Sequence, residues 1–474
     1  MKKLLFILAL IGILISISCS SVYFPQSVGL GVKKGTGGGQ IVGIGYVLHE
    51  GSLSLDEQKR NYDPNENSIT LFKKGDFGSK YFRIPSLLVT AKGTILAATD
   101  RRYDDVADLG KDKTRIDVLL RRSEDLGTTW SDPIVVGPGA GDDPGDRSKS
   151  YGDAFMINCH NGDIILGCIA EPGIQDKNPK GKTILFRSKD DGITWNQIYE
   201  FYPSEVPNAK RGFGASGQGL TLRHGQNASA KKLMFAYFQW NNDTKNGGLS
   251  VTAIVSDNDG STWAPLGSVT PSPDNDIDET KAIELSDGRI MLNHRKGTKV
   301  GGRAWSISSD GGLTWEYQGI DPEVNDPGNN ADFFRYEYNG KRIKTEKYIL
   351  MINANATPNG KWFFTRKNHY VRLTENEFDN GKGTSSGKYA YSKQLVNGGE
   401  NLYSGYPTIA VLPDGTICTL TEETWQTTRP PELTGDAGGD DYDIVFRRFN
   451  LYWLTDGKEF ADYTSDYLFQ QPQN

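Results

Sequence analysis

Ser188-Lys189-Asp190-Asp191-Gly192-Ile193-Thr194-Trp195 is one of four related octapeptides in this chain. The others are Ser123-Glu124-Asp125-Leu126-Gly127-Thr128-Thr129-Trp130, Ser256-Asp257-Asn258-Asp259-Gly260-Ser261-Thr262-Trp263 and Ser308-Ser309-Asp310-Gly311-Gly312-Leu313-Thr314-Trp315, with starts 65, 68 and 52 residues apart. One copy could arise by chance; four do not. The third residue, Asp or Asn, has an oxygen that accepts from backbone donors in a turn. The fixed Gly permits a positive φ, and the Trp can pack on neighbouring strands. Each copy reads as the tip of a β-hairpin, and intervals of 52–68 residues suit one four-stranded blade with its loops. Such repetition, which protects sheet edges, predicts a propeller. The copies have too few regularly spaced oxygen ligands for calcium loops of the EF-hand kind.

Around them the chain is a series of short strand-like runs, among them Ser86–Thr90, Thr94–Ala98, Ile116–Arg121, Phe155–Asn158, Ile164–Cys168 and Thr183–Arg187. Turn signals recur at Lys92-Gly93, Asn161-Gly162, Asp287-Gly288 and Asp414-Gly415, and no helix-period stretch of useful length occurs. The fold class is all-β.

Composition agrees with a globular chain: 474 residues, 36% hydrophobic, 24% charged, with Gly 55 and Pro 21 supplying turns. A net charge of -6 argues against a nucleic-acid partner. Five histidines and four cysteines leave little room for a metal cluster, and Cys19, Cys159, Cys168 and Cys418 lack paired ligand spacing. No metal and no cofactor are expected. Cys159 and Cys168 flank a hairpin turn without standing directly opposite each other, which favours buried free thiols over a disulfide. Oligomeric state is unmarked, and a monomer is the default.

Lys2 and Lys3 precede an apolar run from Leu4 to Ile17, too short for a comfortable span and placed as an export signal. Ser16-Ile17-Ser18-Cys19 resembles a bacterial lipoprotein processing site, with Ser16 where a leucine is usual. The expected organisation is a signal at 1–18, a Gly-rich lead-in at 19–70, a catalytic propeller at 71–460 and a tail at 461–474. Acylation at Cys19 would anchor an exported protein at the outer membrane or cell surface. Simple cleavage, giving a periplasmic protein, and an uncleaved anchor are the alternatives.

The octapeptides resemble the Asp boxes of the sialidase superfamily, and Phe82-Arg83-Ile84-Pro85 resembles that family's Arg-Ile-Pro motif. The likeness covers about residues 78–455 and points to the bacterial exo-sialidases of glycoside hydrolase family 33. It implies a six-bladed β-propeller of four-stranded antiparallel blades. It also implies an exo-acting hydrolase that removes terminal sialic acid from glycoproteins, glycolipids or oligosaccharides.

The resemblance extends residue by residue. Sialic acid carries a carboxylate on its anomeric carbon, and arginine's planar fork meets a carboxylate bidentately. Arg83, Arg295 (16 residues after Glu279) and Arg366 resemble the family's three clamping arginines. Asp108 resembles the loop acid/base, Arg102 an arginine that helps hold the sugar, and Asp153 a pocket aspartate. Tyr406 and Glu279 resemble the nucleophile pair, in which a neutral tyrosine avoids repelling the substrate carboxylate and a glutamate takes its proton. Glu422, 16 residues after Tyr406, resembles the glutamate that orients the first arginine. Tyr403 is a rival to Tyr406, and Glu284 to Glu279. Lys281 and Pro407 depart from the usual pattern. They keep open a glycosidase for another 2-keto sugar acid, beside a non-catalytic glycan-binding propeller.

Overall fold

The run Ile164–Ala170 has no polar alternation, and in the computed structural model all seven of its residues are buried. A strand hidden on both faces belongs to a sheet packed between two others. The structure describes residues 52–468 except 61, 105, 110–114, 140–149, 171–180, 242–247, 270–276, 297–300, 358–365, 376, 379–388, 398–401 and 426–440. The expected signal, Cys19 and the glycines from Gly35 to Gly45 therefore lie outside the described residues, as do 469–474 of the expected tail.

Six antiparallel sheets follow in chain order as the blades of a β-propeller. Blade 1 is Tyr81–Val89, Ile95–Arg102, Ile116–Ser123 and Ile134–Gly137. Blade 2 is Tyr151–Asn158, Ile164–Ala170, Lys182–Ser188 and Asn196–Phe201. Blade 3 is Arg211–Gly214, Leu233–Trp240, Leu249–Ser256 and Ala264–Val269. Blade 4 is Ile277–Glu284, Ile290–Lys296, Arg303–Ser308 and Glu316–Ile320. Blade 5 is Ala331–Arg335, Ile349–Ala354, His369–Thr374 and Tyr389–Gln394. Blade 6 takes Leu402–Val411, Ile417–Trp425 and Asp443–Phe449 from the end of the chain and Ser68–Phe72 from its beginning. The ring thus closes on Ser68–Phe72 pairing with Asp443–Phe449. Two short additions vary the plan: Gly217–Gln218 runs parallel beside Phe155 and Met156 of blade 2, and Leu220–Thr221 pairs on blade 3.

The core is divided among the joints. Leu96, Val118, Met156 and Leu166 fill the joint between blades 1 and 2; Phe155, Leu185, Phe235 and Trp263 fill the next. Trp305, Phe333 and Phe378 lie between blades 4 and 5, and Phe72, Phe82 and Phe446 at the closure. Cys159, Cys168 and Cys418 are buried free thiols, as expected for the first two.

The octapeptides are hairpin tips between the third and fourth strands of blades 1 to 4. In blade 2, Asp190 Oδ1 accepts from the Thr194 amide at 2.8 Å, and the Ser188 hydroxyl accepts from the Gly192 amide at 2.8 Å. The other copies repeat both bonds. Each tip also reaches the preceding blade. In blades 1 to 3 the glycine comes so close that a Cβ on Gly260 would stand 2.3 Å from Ile165 Cδ1, and one on Gly127 would stand 2.5 Å from Phe446. An arginine from the preceding blade then donates to the carbonyl just before that glycine. Arg448 bonds Leu126 O at 2.7 Å, Arg122 bonds Asp191 O at 2.9 Å, and Arg187 bonds Asp259 O at 2.6 Å. In blade 3 the equivalent place is Val255, so the series stops there.

Candidate active site

In four blades the first strand slips register against its neighbour near its start. The slips fall between Arg83 and Ser86, Gly152 and Phe155, Ile277 and Thr280, and Ser404 and Pro407. A bulge bends its strand and re-aims a side chain. Arg83, Asp153, Glu279 and Tyr406 all sit at these slips. Two of them force an L-residue to positive φ, Ile84 at 57° and Asp153 at 53°, at a cost of about 1–3 kcal/mol each. Each freed amide finds a buried acid: Ile84 N–H donates to Glu422 Oε1 at 2.7 Å, and Asp153 N–H to Asp100 Oδ1 at 2.9 Å.

Tyr406 is the centre. Its hydroxyl donates to Glu279 Oε2 at 2.6 Å and accepts from Arg295 Nη1 at 2.7 Å. The same Arg295 nitrogen also donates to Glu279. Three guanidinium groups surround the ring, at 5.3 Å (Arg366), 5.5 Å (Arg83) and 5.9 Å (Arg295) from its centroid. All are buried, as are Glu279 and Tyr406. Burial pushes the Tyr406 phenol well above the ordinary tyrosine value; Glu279 adds to this, and the arginines oppose it. The resting hydroxyl is protonated, with an acceptor already in place. Tyr403, the sequence rival, pairs with Thr424 before the slip. Glu284 lies at the far end of its strand, accepting from the Arg223 and His224 amides.

The peptide joining Gly405 to Tyr406 is held from both sides. Its N–H donates to Glu422 Oε2 at 2.8 Å, while its carbonyl accepts from Asn329 Nδ2 at 2.7 Å and His369 Nε2 at 2.8 Å. Glu422 also accepts from Arg83 Nε at 2.8 Å. A Cβ on Gly405 would stand 2.1 Å from Glu422 Oε2, so residue 405 has no room for a side chain. Arg366 is tied to the same segment, its carbonyl accepting from the Ser404 amide at 2.8 Å.

A second group adjoins this centre. Arg102, fully buried, donates to Asp100 Oδ2 at 2.8 Å and to Asp108 Oδ1 at 3.1 Å. Burial, with Asp100, Asp108 and Glu279 next in order, pushes the Asp153 carboxyl well up, so a proton is favoured there. Asp108 differs from the rest: its side chain is 45% exposed.

The structure therefore gathers all nine residues named from the sequence. It adds Asp100, Asn329 and His369, which no motif flagged. Asp100 stands two residues before Arg102 in one strand, a spacing that places both on one face and could have pointed to it. Asn329 and His369 act on a backbone carbonyl and left no local signal.

The BNR repeat-like domain family matches residues 84–406. A sialidase from Micromonospora viridifaciens is 28% identical over 406 residues, covering 83% of this chain and 55% of that protein. The chain spans about half the length of the curated relatives it matches. Among solved structures, a Hadza microbial sialidase has a TM-score of 0.62 at 22% identity, over 82% of this chain and 69% of the other. An intramolecular trans-sialidase from Ruminococcus gnavus, in complex with oseltamivir carboxylate, has a TM-score of 0.64 at 18% identity, over 84% of this chain and 100% of the other. At these identities the structural likeness speaks for the fold.

Proposed function

The chain belongs to the BNR repeat-like domain family, and from that premise we propose that it is an exported exo-α-sialidase acting on terminal sialic acid with retention. One observation carries the reading: three buried arginines ring a tyrosine whose hydroxyl donates to a buried glutamate at 2.6 Å. A cluster of cations around a nucleophile suits a substrate with its carboxylate on the reacting carbon. A carboxylate nucleophile would repel that substrate; a phenol does not.

In this reading Arg83, Arg295 and Arg366 clamp the carboxylate, with Arg83 oriented by Glu422. Asp108, at the open side, protonates the departing glycosidic oxygen. Tyr406 passes its proton to Glu279 and attacks the anomeric carbon from the opposite face. Water then attacks the same carbon as Asp108 takes its proton, the bond to the Tyr406 oxygen breaks, Glu279 returns the proton to the phenol, and the sugar leaves with its original anomeric configuration. Asp153, neutral and flanked by Arg102, faces the sugar's polar substituents. The substrates would be sialylated glycoproteins, glycolipids or oligosaccharides, reached by a protein carried outside the cytoplasm and anchored through Cys19.

The test is release from a fluorogenic N-acetylneuraminic acid glycoside by residues 20–474, with Tyr406→Phe and Tyr403→Phe alongside. Loss in the first and retention in the second is expected. Full release by Tyr406→Phe would sink the mechanism. No release by the intact protein would point first to another 2-keto sugar acid and then to binding alone. Proton NMR of the first-formed product reports the anomer, and it separates free sugar from an anhydro product of intramolecular transfer.

A further inference from the structure

The first strands carry the candidate active site in their earlier halves; their later ends enclose something else. A cavity of about 110 Å³ is bounded by Leu88 and Val89 of blade 1, Asn158 of blade 2, Ile283 of blade 4 and Arg335 of blade 5. Its rim includes the exposed Asn339, in the hairpin that joins Glu337–Tyr338 to Lys341–Arg342. Its lining includes none of Arg83, Arg295 or Arg366.

Lys281 forms part of the buried wall, 2% exposed. A Cβ on Gly217 would stand 2.8 Å from its Nζ, so the ammonium lies directly against that backbone. Two acids line the same cavity, and both are already engaged. Asp332 Oδ2 accepts from Thr408 Oγ1 at 2.6 Å, the Ile409 amide at 3.0 Å and Gln218 Nε2 at 3.3 Å. Glu337 is paired with Arg335 at 2.9 Å and His224 at 3.0 Å. The Lys281 ammonium has no hydrogen-bond partner among the described residues. Arg223, half-buried toward the rim, makes no side-chain hydrogen bond or ion pair among the described residues.

Asp332 is the main counter-charge of Lys281 and Glu337 that of Arg223, yet neither pair is hydrogen-bonded, so the lysine and the arginine can each donate to a further acceptor. Buried charges are ordinarily paired or hydrogen-bonded, and the buried donor here without a hydrogen-bond partner among the described residues is the Lys281 ammonium. The space is large enough to admit a small oxyanion with water beside it. We infer that the buried end of this cavity is a binding site for a small oxyanion, of the size of inorganic phosphate or acetate, held by the Lys281 ammonium with Arg223 on the entry side. Burial lowers the Lys281 pKa, Asp332 and Glu279 oppose this, and a bound anion would act in their direction. The site is independent of the sialidase reading and stands or falls separately.

Crystals of the chain grown without phosphate or sulfate and soaked in sodium selenate test this at the selenium absorption edge. The expected result is an anomalous peak within hydrogen-bond reach of Lys281 Nζ. Selenate bound by Arg83, Arg295 and Arg366 would appear elsewhere in the same map. The peak should vanish in Lys281→Met. In Arg223→Met, chosen because half-buried residues tolerate replacement better, the selenate concentration for half-occupancy should rise about tenfold or more. Soaks with inorganic phosphate or acetate in competition should lower the peak, and the stronger competitor shows whether a tetrahedral or a planar oxyanion is preferred. Water alone beside Lys281, or an Arg223→Met occupancy curve equal to the parent's, would overturn the assignment.

Discussion

The Tyr406 hydroxyl reaches Glu279 across 2.6 Å although 127 residues separate them in the chain. With the phenol held well above its ordinary pKa by burial, removing the acceptor should cost more than removing a bystander. Glu279→Gln is expected to lower kcat by about 10²–10⁴-fold while KM changes by only a few-fold, measured on the fluorogenic glycoside. A kcat within tenfold of the parent would mean that Glu279 is not the proton acceptor.

Gly405 is sterically closed. Gly405→Ala drives a methyl into the carboxylate that orients both Arg83 and the Tyr406 amide. Glu422 must move, and kcat/KM should drop at least tenfold. Circular dichroism separates this from unfolding, because the blades' far-ultraviolet signal should persist. Unchanged kcat/KM would show that the peptide's placement is not critical.

Two glycines in the octapeptides share a positive φ but differ in surroundings. Gly260, at 82°, faces Ile165 and Arg187, whereas Gly311, at 74°, has nothing within 4 Å of the place a methyl would occupy. Gly260→Ala should cost about 2–3 kcal/mol and Gly311→Ala about 1 kcal/mol, read by urea unfolding. The positions aligned with Gly311 in the other copies are Leu126, Asp191 and Asp259, which already hold positive φ. Equal losses would mean that strain, not the contact between blades, governs these tips.

His369 is fully buried, and burial lowers its pKa to about 4 from 6.5. The unfolded chain therefore takes up a proton between pH 6.5 and 4 that the folded protein refuses. The contribution to stability is complete above about pH 6.5 and shrinks as pH falls toward 4, by up to about 3 kcal/mol. His369→Gln keeps an amide donor for the Gly405 carbonyl but cannot titrate. Its stability should fall less steeply with acid over that window, by urea midpoints at pH 6.5 and 4.5. Parallel slopes would sink the argument.

The octapeptides are legible in the sequence because they are local. Ser, Asp, Gly, Thr and Trp lie within eight residues and close their own turn, so the order of residues alone places the tips of blades 1 to 4. Blades 5 and 6 carry no copy, and only the family likeness supplied their number. Arg83-Ile84-Pro85 is legible as a motif, and the fold gives it physical content: a bulge whose middle residue sits at φ 57° and whose proline needs no ladder partner. The partners that grip Gly405 are illegible, since a carbonyl accepts from any donor. Lys281 stands out as a departure from the family pattern, but its lack of a hydrogen-bond partner depends on which neighbours the fold brings to it.

Blade 6 borrows its outer strand from residues 68–72, and Arg83 meets Glu422 across 339 residues. During synthesis, Arg83 is made early and waits for a partner that appears near the end. A nascent chain that stops short of blade 6 has neither Tyr406 nor Glu422 and cannot seal its own circle. On the proposed mechanism, assembly order would withhold the chemistry until the last blade has been delivered, because Tyr406 and Glu422 both belong to it.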